Sequence, residues 1–381
     1  MASNTTPRIL HLSAVGNWGG GEHHIESLIT ELRRLHPDAF NMIHCVAGAQ
    51  FNKRLELASP RFNYTTAPRK YKIDWRYVRS IITTCKMHKI NLIHIHDPTA
   101  HQLAVIASLF CKLPPMILSK KISFPVKNRF LTRLKYNHQC IKRYLCVSQE
   151  TADVLRPSLK RPELVETIYH GTRLDNKSIP APFDIKDHLN LPAETVIVGN
   201  IANHYGAKDL PTLLNVVEQL KQVAGLPAFH VVQIGKHLGD TPDLIDDAKR
   251  RGLGSHLTFL GFQTNASSFI PQFSTLLMTS VVEGVPQTIY EANFHHVPVV
   301  TTNAGGISEV VLHEKTGYVT EKRATEDLVR GIRIVLTQHD IVRQWVDDAY
   351  SRFMTHFTSE VMADRTYQVY QSILQSGSQN E

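Results

Sequence analysis

Glu283 and Glu291 lie eight positions apart in "VEGVPQTIYEA" (282–292), a stretch otherwise short of charge. Two carboxylates at this spacing could form an acid/base couple if one helix carried both. Gly284, Val285 and Pro286 argue against such a helix, because proline lacks the amide a helix interior needs yet fits the first turn of a helix starting near Gln287. Glu283 is therefore expected in the loop that ends the strand "STLLMTS" (274–280), and Glu291 inside the following helix. A helical glutamate at the ligand edge of a parallel sheet has the placement of the acid that takes a ribose diol in dinucleotide folds. A loop glutamate beside glycine and free N–H groups could reach another part of the same ligand. The plainer alternative is one capping and one surface carboxylate. The next segment, "PVVTTNAGGISEVV" (298–311), tips the balance towards a shared pocket, since its Gly305-Gly306 loop follows another buried strand and opens a helix with Glu309 in its first turns.

Three further stretches carry groups that could bind or react. In "AVGNWGGGEHHIESLITEL" (14–32), Gly19, Gly20 and Gly21 precede a helix expected to open near Glu22. Glycine lets backbone approach a ligand closely, and a helix start offers free N–H groups to an anion. The spacing matches neither G-x-G-x-x-G nor a P-loop, so a plain glycine turn stands beside a phosphate-facing loop. In "GNIANHYGAKDLPTLLNVVEQL" (199–220), Lys208 sits just before an amphipathic helix with Asp209 as its expected N-cap and Pro211 in its first turn. A lysine beside helix-terminal N–H groups suits a diphosphate, although alone it also reads as a surface lysine. In "IHIHDPTAH" (93–101), His94 and His96 share one strand face, with Asp97 at the strand end. No third ligand follows at a recognisable spacing, so packing or polar networking is preferred to a metal site.

The elements that must position these groups are short apolar, β-branched runs alternating with helix-patterned stretches. The first half has "RILHLS" (8–13), "NMIHCV" (41–46), "NLIHIH" (91–96), "PMILS" (115–119), "RYLCVS" (143–148) and "VETIYH" (165–170). The second repeats the plan with "TVIVGN" (195–200), "HVVQIG" (230–235), "LTFLG" (257–261), "STLLMTS", "VPVVTT" (297–302) and "GYVT" (317–320). Near-continuous apolar runs are what strands covered on both faces require, and two such series predict an α/β chain of two doubly wound domains. A Pro-rich, strand-poor link, "NKSIPAPFDIKDHLNLP" (176–192), places the boundary near residue 180. The expected organisation is an N-terminal domain over 1–180, a C-terminal domain over 181–355, and a closing helix and polar tail over 356–381 with the option of packing back on the N-terminal domain.

Composition agrees with two soluble folded bodies. The chain has 381 residues, 42 % hydrophobic and 20 % charged, with no apolar run near the ~20 residues that a membrane helix needs. Five scattered cysteines without a C-x-x-C pair, and an N-terminus without a signal-peptide core, point to a reducing cytoplasm. The net charge of +8 is uneven: residues 1–180 hold 27 Lys and Arg against 12 Asp and Glu, and the remainder holds 15 against 22. Between Asp97 and Glu150 there is no acid, yet Lys120, Lys121, Lys127, Arg129, Arg133 and Lys135 fall there. Such a run is either a solvated basic face or a site for anionic lipid or a phosphorylated acceptor. No nucleic-acid partner is expected.

Taken together, "GNWGGGEHH" (16–24), "CVSQETADVL" (146–155), "YHGTRLD" (169–175), "GNIANHYGAKD" (199–209), "LGF" (260–262) and "EGVPQTIYEANFHHVPVVTTNAGGISEVV" (283–311) resemble family 4 of the retaining glycosyltransferases, which have the GT-B architecture. The resemblance implies two Rossmann-like domains facing across a cleft, and transfer of a sugar from a UDP- or GDP-linked donor to a hydroxyl of a glycan or glycolipid acceptor. It assigns Glu291 to the ribose diol, Glu283 to donor-sugar hydroxyls, and the backbone of Gly284, Val285, Pro286 and Gln287 to phosphate or sugar. Lys208 would neutralise the leaving diphosphate, with Gly20 and Gly21 facing it, and Asn203, Gly261 and Phe262 would complete the nucleotide site. No cofactor or metal is implied, since basic side chains and helix ends supply the electrostatics. The acceptor side would rest on the basic face of Lys120, Lys121, Lys127 and Arg129, as for a lipid-linked or anionic acceptor of envelope polysaccharide or lipopolysaccharide assembly at an anionic membrane surface. Two departures stand out. Asn203 occupies a position where many members have arginine, removing a charge-assisted hydrogen bond worth about 1.5–3 kcal/mol, and Lys120 and Lys121 replace a histidine common after the fourth strand. A GT-B sugar-nucleotide epimerase and a non-catalytic sugar-nucleotide binder are the competing readings.

Overall fold

A computed structural model of the chain describes residues 6–17, 19–58, 61–122, 124–126, 129–173, 180–239, 241–284 and 286–378. The polypeptide forms two compact units: Met1–Gly171 joined by Thr358–Glu381, and Thr172–Phe357.

The first unit is built on strands β1 (Arg8–Leu12), β2 (Phe40–Val46), β3 (Tyr64–Ala67), β4 (Leu92–Ile95), β5 (Met116–Lys120), β6 (Ile141–Cys146) and β7 (Val165–Thr167). They form one parallel sheet in the order β3-β2-β1-β4-β5-β6-β7. Side chains alternate across the pleat, so each strand feeds two layers. Leu10, Leu12, Ile93, Ile95 and Leu118 pack with Tyr77, Ile81 and Leu103 of the helices Trp75–Met87 and Pro98–Ser108. Ile9, Leu92, Ile117 and Leu145 face the other way, onto Leu28 and Leu32 of the helix Gly20–Leu35 and onto Met362, Val369 and Tyr370 of the C-terminal helix Ser359–Ser378. Burial on both faces is why these strands read as apolar runs. Sequence reading missed β3, whose "YTTA" is four residues long and fully buries only Ala67.

The second unit has β8 (Val196–Ile201), β9 (Phe229–Ile234), β10 (Leu257–Gly261), β11 (Thr275–Met278), β12 (Val299–Thr302) and β13 (Tyr318–Thr320), parallel in the order β10-β9-β8-β11-β12-β13. The helix Leu210–Leu220 seals one face by burying Leu210, Leu213, Leu214, Val217 and Leu220 at 3.6-residue spacing. Each such aliphatic side chain contributes about 1.5–3 kcal/mol on full burial. The Pro-rich, strand-poor link contains the helix Ile185–Leu189, started by Asp184, whose Oδ1 accepts from the Lys186 and Asp187 amides at 2.8 and 3.0 Å. Residues 174–179 of that link lie outside the described residues.

Candidate functional site

In both sheets the chain works outward in one direction and then restarts on the other side of its first strand. The reversal falls between β1 and β4 in the first unit and between β8 and β11 in the second. At such a point the connections leave the strand ends in opposite directions and open a crevice. Lys208 and Glu283 follow the two strands at this point in the second unit, and the loop after β1 and Asp97 follow those in the first. Gly261 and Phe262 instead lie at the end of the outer strand β10, and Lys120 and Arg129 at and beyond the end of β5.

In the second unit, Lys208 closes the turn Gly206–Lys208 after β8, and Glu283 lies in the loop after β11. The two loops run side by side because β8 and β11 pair, Leu276 opposite Gly199. The Val281 amide donates to the Ala207 carbonyl at 2.8 Å and the Thr279 hydroxyl donates to the Lys208 carbonyl at 2.9 Å. Thus fixed, the Lys208 ammonium donates to Glu283 Oε1 at 2.5 Å, and the Ser280 hydroxyl donates to the same oxygen at 2.6 Å. Ser280 is itself held through its carbonyl, which accepts from the Thr302 hydroxyl at the end of β12. Both charges are mostly buried, where an ion pair is weakly screened.

The helix Gln287–Phe294 starts where expected, with Pro286 as its N-cap, and carries Glu291 buried in its interior turn. Gly284 binds the second glycine loop directly: the Gly306 amide donates to the Gly284 carbonyl at 3.0 Å. Val285 lies outside the described residues. Asp209 is the N-cap of the helix Leu210–Leu220, but in a left-handed conformation, φ 47°, its carboxylate accepting from the Thr212 hydroxyl rather than from an amide. Asn203 is exposed, and its Oδ1 accepts from the Lys236 amide at 2.8 Å, tying the loops after β8 and β9 together. Gly261 sits at φ 68°, which favours glycine, and presents the exposed Phe262 beyond the sheet edge.

In the first unit, the helix begins at Gly20 with Gly19 as N-cap, two residues before Glu22, so Gly20 and Gly21 are its first two residues rather than loop. Asp97 locks this loop to β4: one carboxylate oxygen accepts from the Ala14 amide at 2.7 Å and the other from the Thr99 and Ala100 amides at 2.9 and 2.8 Å. The basic residues divide. Lys121 turns inward and donates to the Gly21 carbonyl at 2.9 Å, with burial pushing its ammonium down to about 8. Lys120 donates to the carbonyls of Ile122 and Phe124 at 2.5 and 3.0 Å, Arg129 is exposed, and Lys127 lies outside the described residues.

Sequence reading did not foresee what surrounds Lys121. His11 of β1 is the register partner of His94, and one nitrogen each of His11, His94 and His96 lies within 4.8 Å of the others. These rings form a polar network: His11 meets His96 at 3.0 Å and Asn41 Oδ1 at 3.1 Å, while His94 meets Tyr370 OH at 2.6 Å and Ser119 Oγ at 2.8 Å. His24 and His170 pair beside it at 2.7 Å. Burial holds all five imidazoles neutral, His11 down to about 4, His170 to about 3, and His24, His94 and His96 well below the usual range. Burial also raises the Glu22 carboxyl. His11 stands 83 residues before His94, so no local spacing could signal the cluster.

Comparison with known proteins agrees with this architecture. Residues 18–176 match the model of Glycosyltransferase Family 4 and residues 183–352 that of Glycosyl transferases group 1, between them most of the chain. The chain belongs to the family 4 glycosyltransferases and has their GT-B fold. N-acetyl-alpha-D-glucosaminyl L-malate synthase of Bacillus anthracis is 22 % identical over 239 residues, 58 % of this chain and 63 % of that protein. The Vi polysaccharide biosynthesis protein VipC/TviE of Salmonella typhi is 21 % identical over 264 residues, 64 % of this chain and 44 % of that protein. The chain thus spans less than two thirds of the length of these curated relatives. The crystal structure of Anabaena HepE in complex with UDP superposes with a TM-score of 0.80 at 20 % identity, covering 96 % of this chain and all of that one.

Proposed function

We propose that the protein is a retaining glycosyltransferase that moves a sugar from a nucleotide-diphosphate sugar to a hydroxyl of a lipid-linked or anionic glycan acceptor, in envelope polysaccharide or lipopolysaccharide assembly on the cytoplasmic side. The observation that carries the reading is the Lys208–Glu283 pair at the switch point of the second sheet. Without donor each charge neutralises the other. With donor, Lys208 turns to the diphosphate and Glu283 to sugar hydroxyls, so the ion pair is exchanged for two charge-assisted contacts. Glu291 takes the ribose diol, and the backbone of Gly284, Pro286 and Gln287 lies against phosphate or sugar.

In the transfer, the bond from the anomeric carbon to the diphosphate oxygen breaks and a bond to the acceptor oxygen forms on the same face. The acceptor proton passes to the departing phosphate oxygen, so no protein base is required. Lys208 and helix-terminal N–H groups stabilise the charge developing on the leaving group, and activity is expected to persist in a chelator. The complexes of HepE with UDP and with UDP-glucose favour uracil as the base, and the name of the Vi polysaccharide relative supports a polysaccharide context.

A thermal-shift panel of UDP-, GDP- and ADP-sugars tests the donor site, because a bound ligand raises stability by RT ln(1 + [L]/Kd). Lys208→Ala should lose both the shift and transfer. Glu283→Gln should keep the shift with the bare nucleotide and lose transfer. Full transfer by both variants would overturn the assignment, and isomerised donor in place of slow hydrolysis would point to an epimerase.

A further inference from the structure

Between Lys208 and the helix Leu210–Leu220 stands one residue, Asp209, and its backbone is left-handed, φ 47° and ψ 52°. That conformation crowds the Cβ of an L-residue against the chain, so it is uncommon outside glycine, and asparagine and aspartate enter it more easily than other side chains. Aspartate is also favoured at helix starts, because its carboxylate accepts from the N2 or N3 amide. Asp209 makes no such bond: N2 is Pro211, which has no amide, and the Thr212 amide is given to the Asp209 carbonyl at 3.0 Å. The carboxylate takes the Thr212 hydroxyl at 2.7 Å instead. Its other partner, the Arg323 guanidinium at 3.7 Å, is 74 % exposed, and an ion pair of that kind contributes little. Lys89, Asn190 and His296 are left-handed too, but each stands where a helix simply ends. Asp209 joins the turn Gly206–Lys208 to a helix, so its conformation sets the angle between them.

We propose that Asp209 is a positioning residue: its left-handed joint aims the Lys208 ammonium at the point shared by Glu283 and the donor diphosphate, a role that rests on the donor site proposed above. The mechanics follow from which side of the joint is fixed. Beyond it, the helix buries Leu210, Leu213, Leu214, Val217 and Leu220 in the core of the second unit and cannot swing. Before it, the turn is held by hydrogen bonds, among them the Lys208 amide to the Tyr205 carbonyl at 2.9 Å, the Asp209 amide to the Gly206 carbonyl at 3.2 Å and the Thr279 hydroxyl to the Lys208 carbonyl at 2.9 Å. Gly206 faces open space, so nothing packs the turn from that side. Bringing φ from 47° to a right-handed value of about −63° rotates the joint by about 110°. The rotation falls on the turn, and Lys208 leaves the Glu283 carboxylate that it meets at 2.5 Å.

Substitutions at Asp209 separate the backbone from the carboxylate. Asp209→Gly and Asp209→Asn keep access to the left-handed region, the first with no side chain at all, whereas the β-branched side chain of Asp209→Val rarely enters it. Acetylation of the folded protein with a limiting amine reagent, read by mass spectrometry, follows Lys208 directly, and Glu283→Gln, which removes the pairing charge, sets the scale. Lys208 should react several-fold faster in Asp209→Val, as in Glu283→Gln, and at the parental rate in Asp209→Gly and Asp209→Asn. In transfer, Asp209→Val should lower kcat roughly ten- to hundredfold, the effect of a misplacement of about 1 Å, while the glycine and asparagine variants stay within about threefold of the parent. Unfolding curves accompany each variant, and Asp209→Ala gives the same test at lower strain. Parental labelling and kcat in both the valine and alanine variants would overturn the proposal even with a lowered Tm, because Asp209 would then serve folding alone. Equal loss in the glycine variant would overturn it too, by assigning the role to the carboxylate. The labelling needs no donor: a parent that no nucleotide sugar stabilises would remove the donor reading, while the labelling still decides whether Asp209 aims Lys208.

Discussion

At the scale of single residues, Ser280 is the side chain whose importance the structure adds. It does not face a ligand by type, but its hydroxyl and the Lys208 ammonium share Glu283 Oε1. In the proposed donor complex, with Lys208 turned to the diphosphate, the Ser280 hydrogen bond is the one left to orient the carboxylate. We expect Ser280→Ala to lower kcat roughly ten- to hundredfold with little change in donor KM, in line with about 1.5–3 kcal/mol for a hydrogen bond to a charged group. Ser280→Thr should restore most of the rate. Unchanged kcat in the alanine variant would show that Glu283 needs no such support. A serine three residues before a glutamate carries no signal of its own, whereas Glu283, Gly284 and Pro286 announce a loop and a helix start through their backbone preferences.

At the scale of elements, β1 and β4 together build the buried histidine cluster. His11 and His94 project towards the layer formed by the helix Gly20–Leu35 and the C-terminal helix, where Lys121, Glu22, His24, His170 and Tyr370 also converge. Folding depresses these imidazole pKa values below the unfolded 6.5, so in acid the unfolded chain binds protons that the folded one refuses. The stability that these imidazoles contribute is therefore complete above about pH 6.5 and is lost as pH falls towards 4. For His11 alone a shift from 6.5 to about 4 corresponds to about 3 kcal/mol. Thermal unfolding between pH 7 and 4 should show this loss, and His11→Asn should flatten it. A Tm that stays level over that range would remove the cluster from the stability of the unit.

At the scale of the whole molecule, the first unit is discontinuous in sequence. The chain leaves it after Gly171 and returns at Thr358, and the two passes touch: a Cβ on Gly171 would meet the Thr358 carbonyl oxygen at 2.2 Å. The returning helix then buries Met362, Ala363, Val369 and Tyr370 and supplies the hydroxyl that meets His94. Gly171→Ala should cost roughly 1–3 kcal/mol through forced displacement at the crossing, read as a lower Tm with the nucleotide-induced shift retained. An unaltered Tm would mean that the crossing yields freely.

The sequence by itself determined the class of fold, the strands other than β3, and the division of Glu283 and Glu291 between a loop and a helix, because these follow from local periodicity and from the backbone limits of glycine and proline. Periodicity reports that a face is buried but not what buries it. Only the tertiary structure decided that β8 lies beside β11, so that Lys208 meets Glu283, and that β1 lies beside β4, so that His11 joins His94 and His96. It likewise turned Lys121 inward, brought Tyr370 back to the first sheet, and set Phe130 and Leu131 facing out. Neighbour order in a sheet and the outward side of a helix are fixed by packing between residues far apart in the chain, and that information is not carried by any one segment.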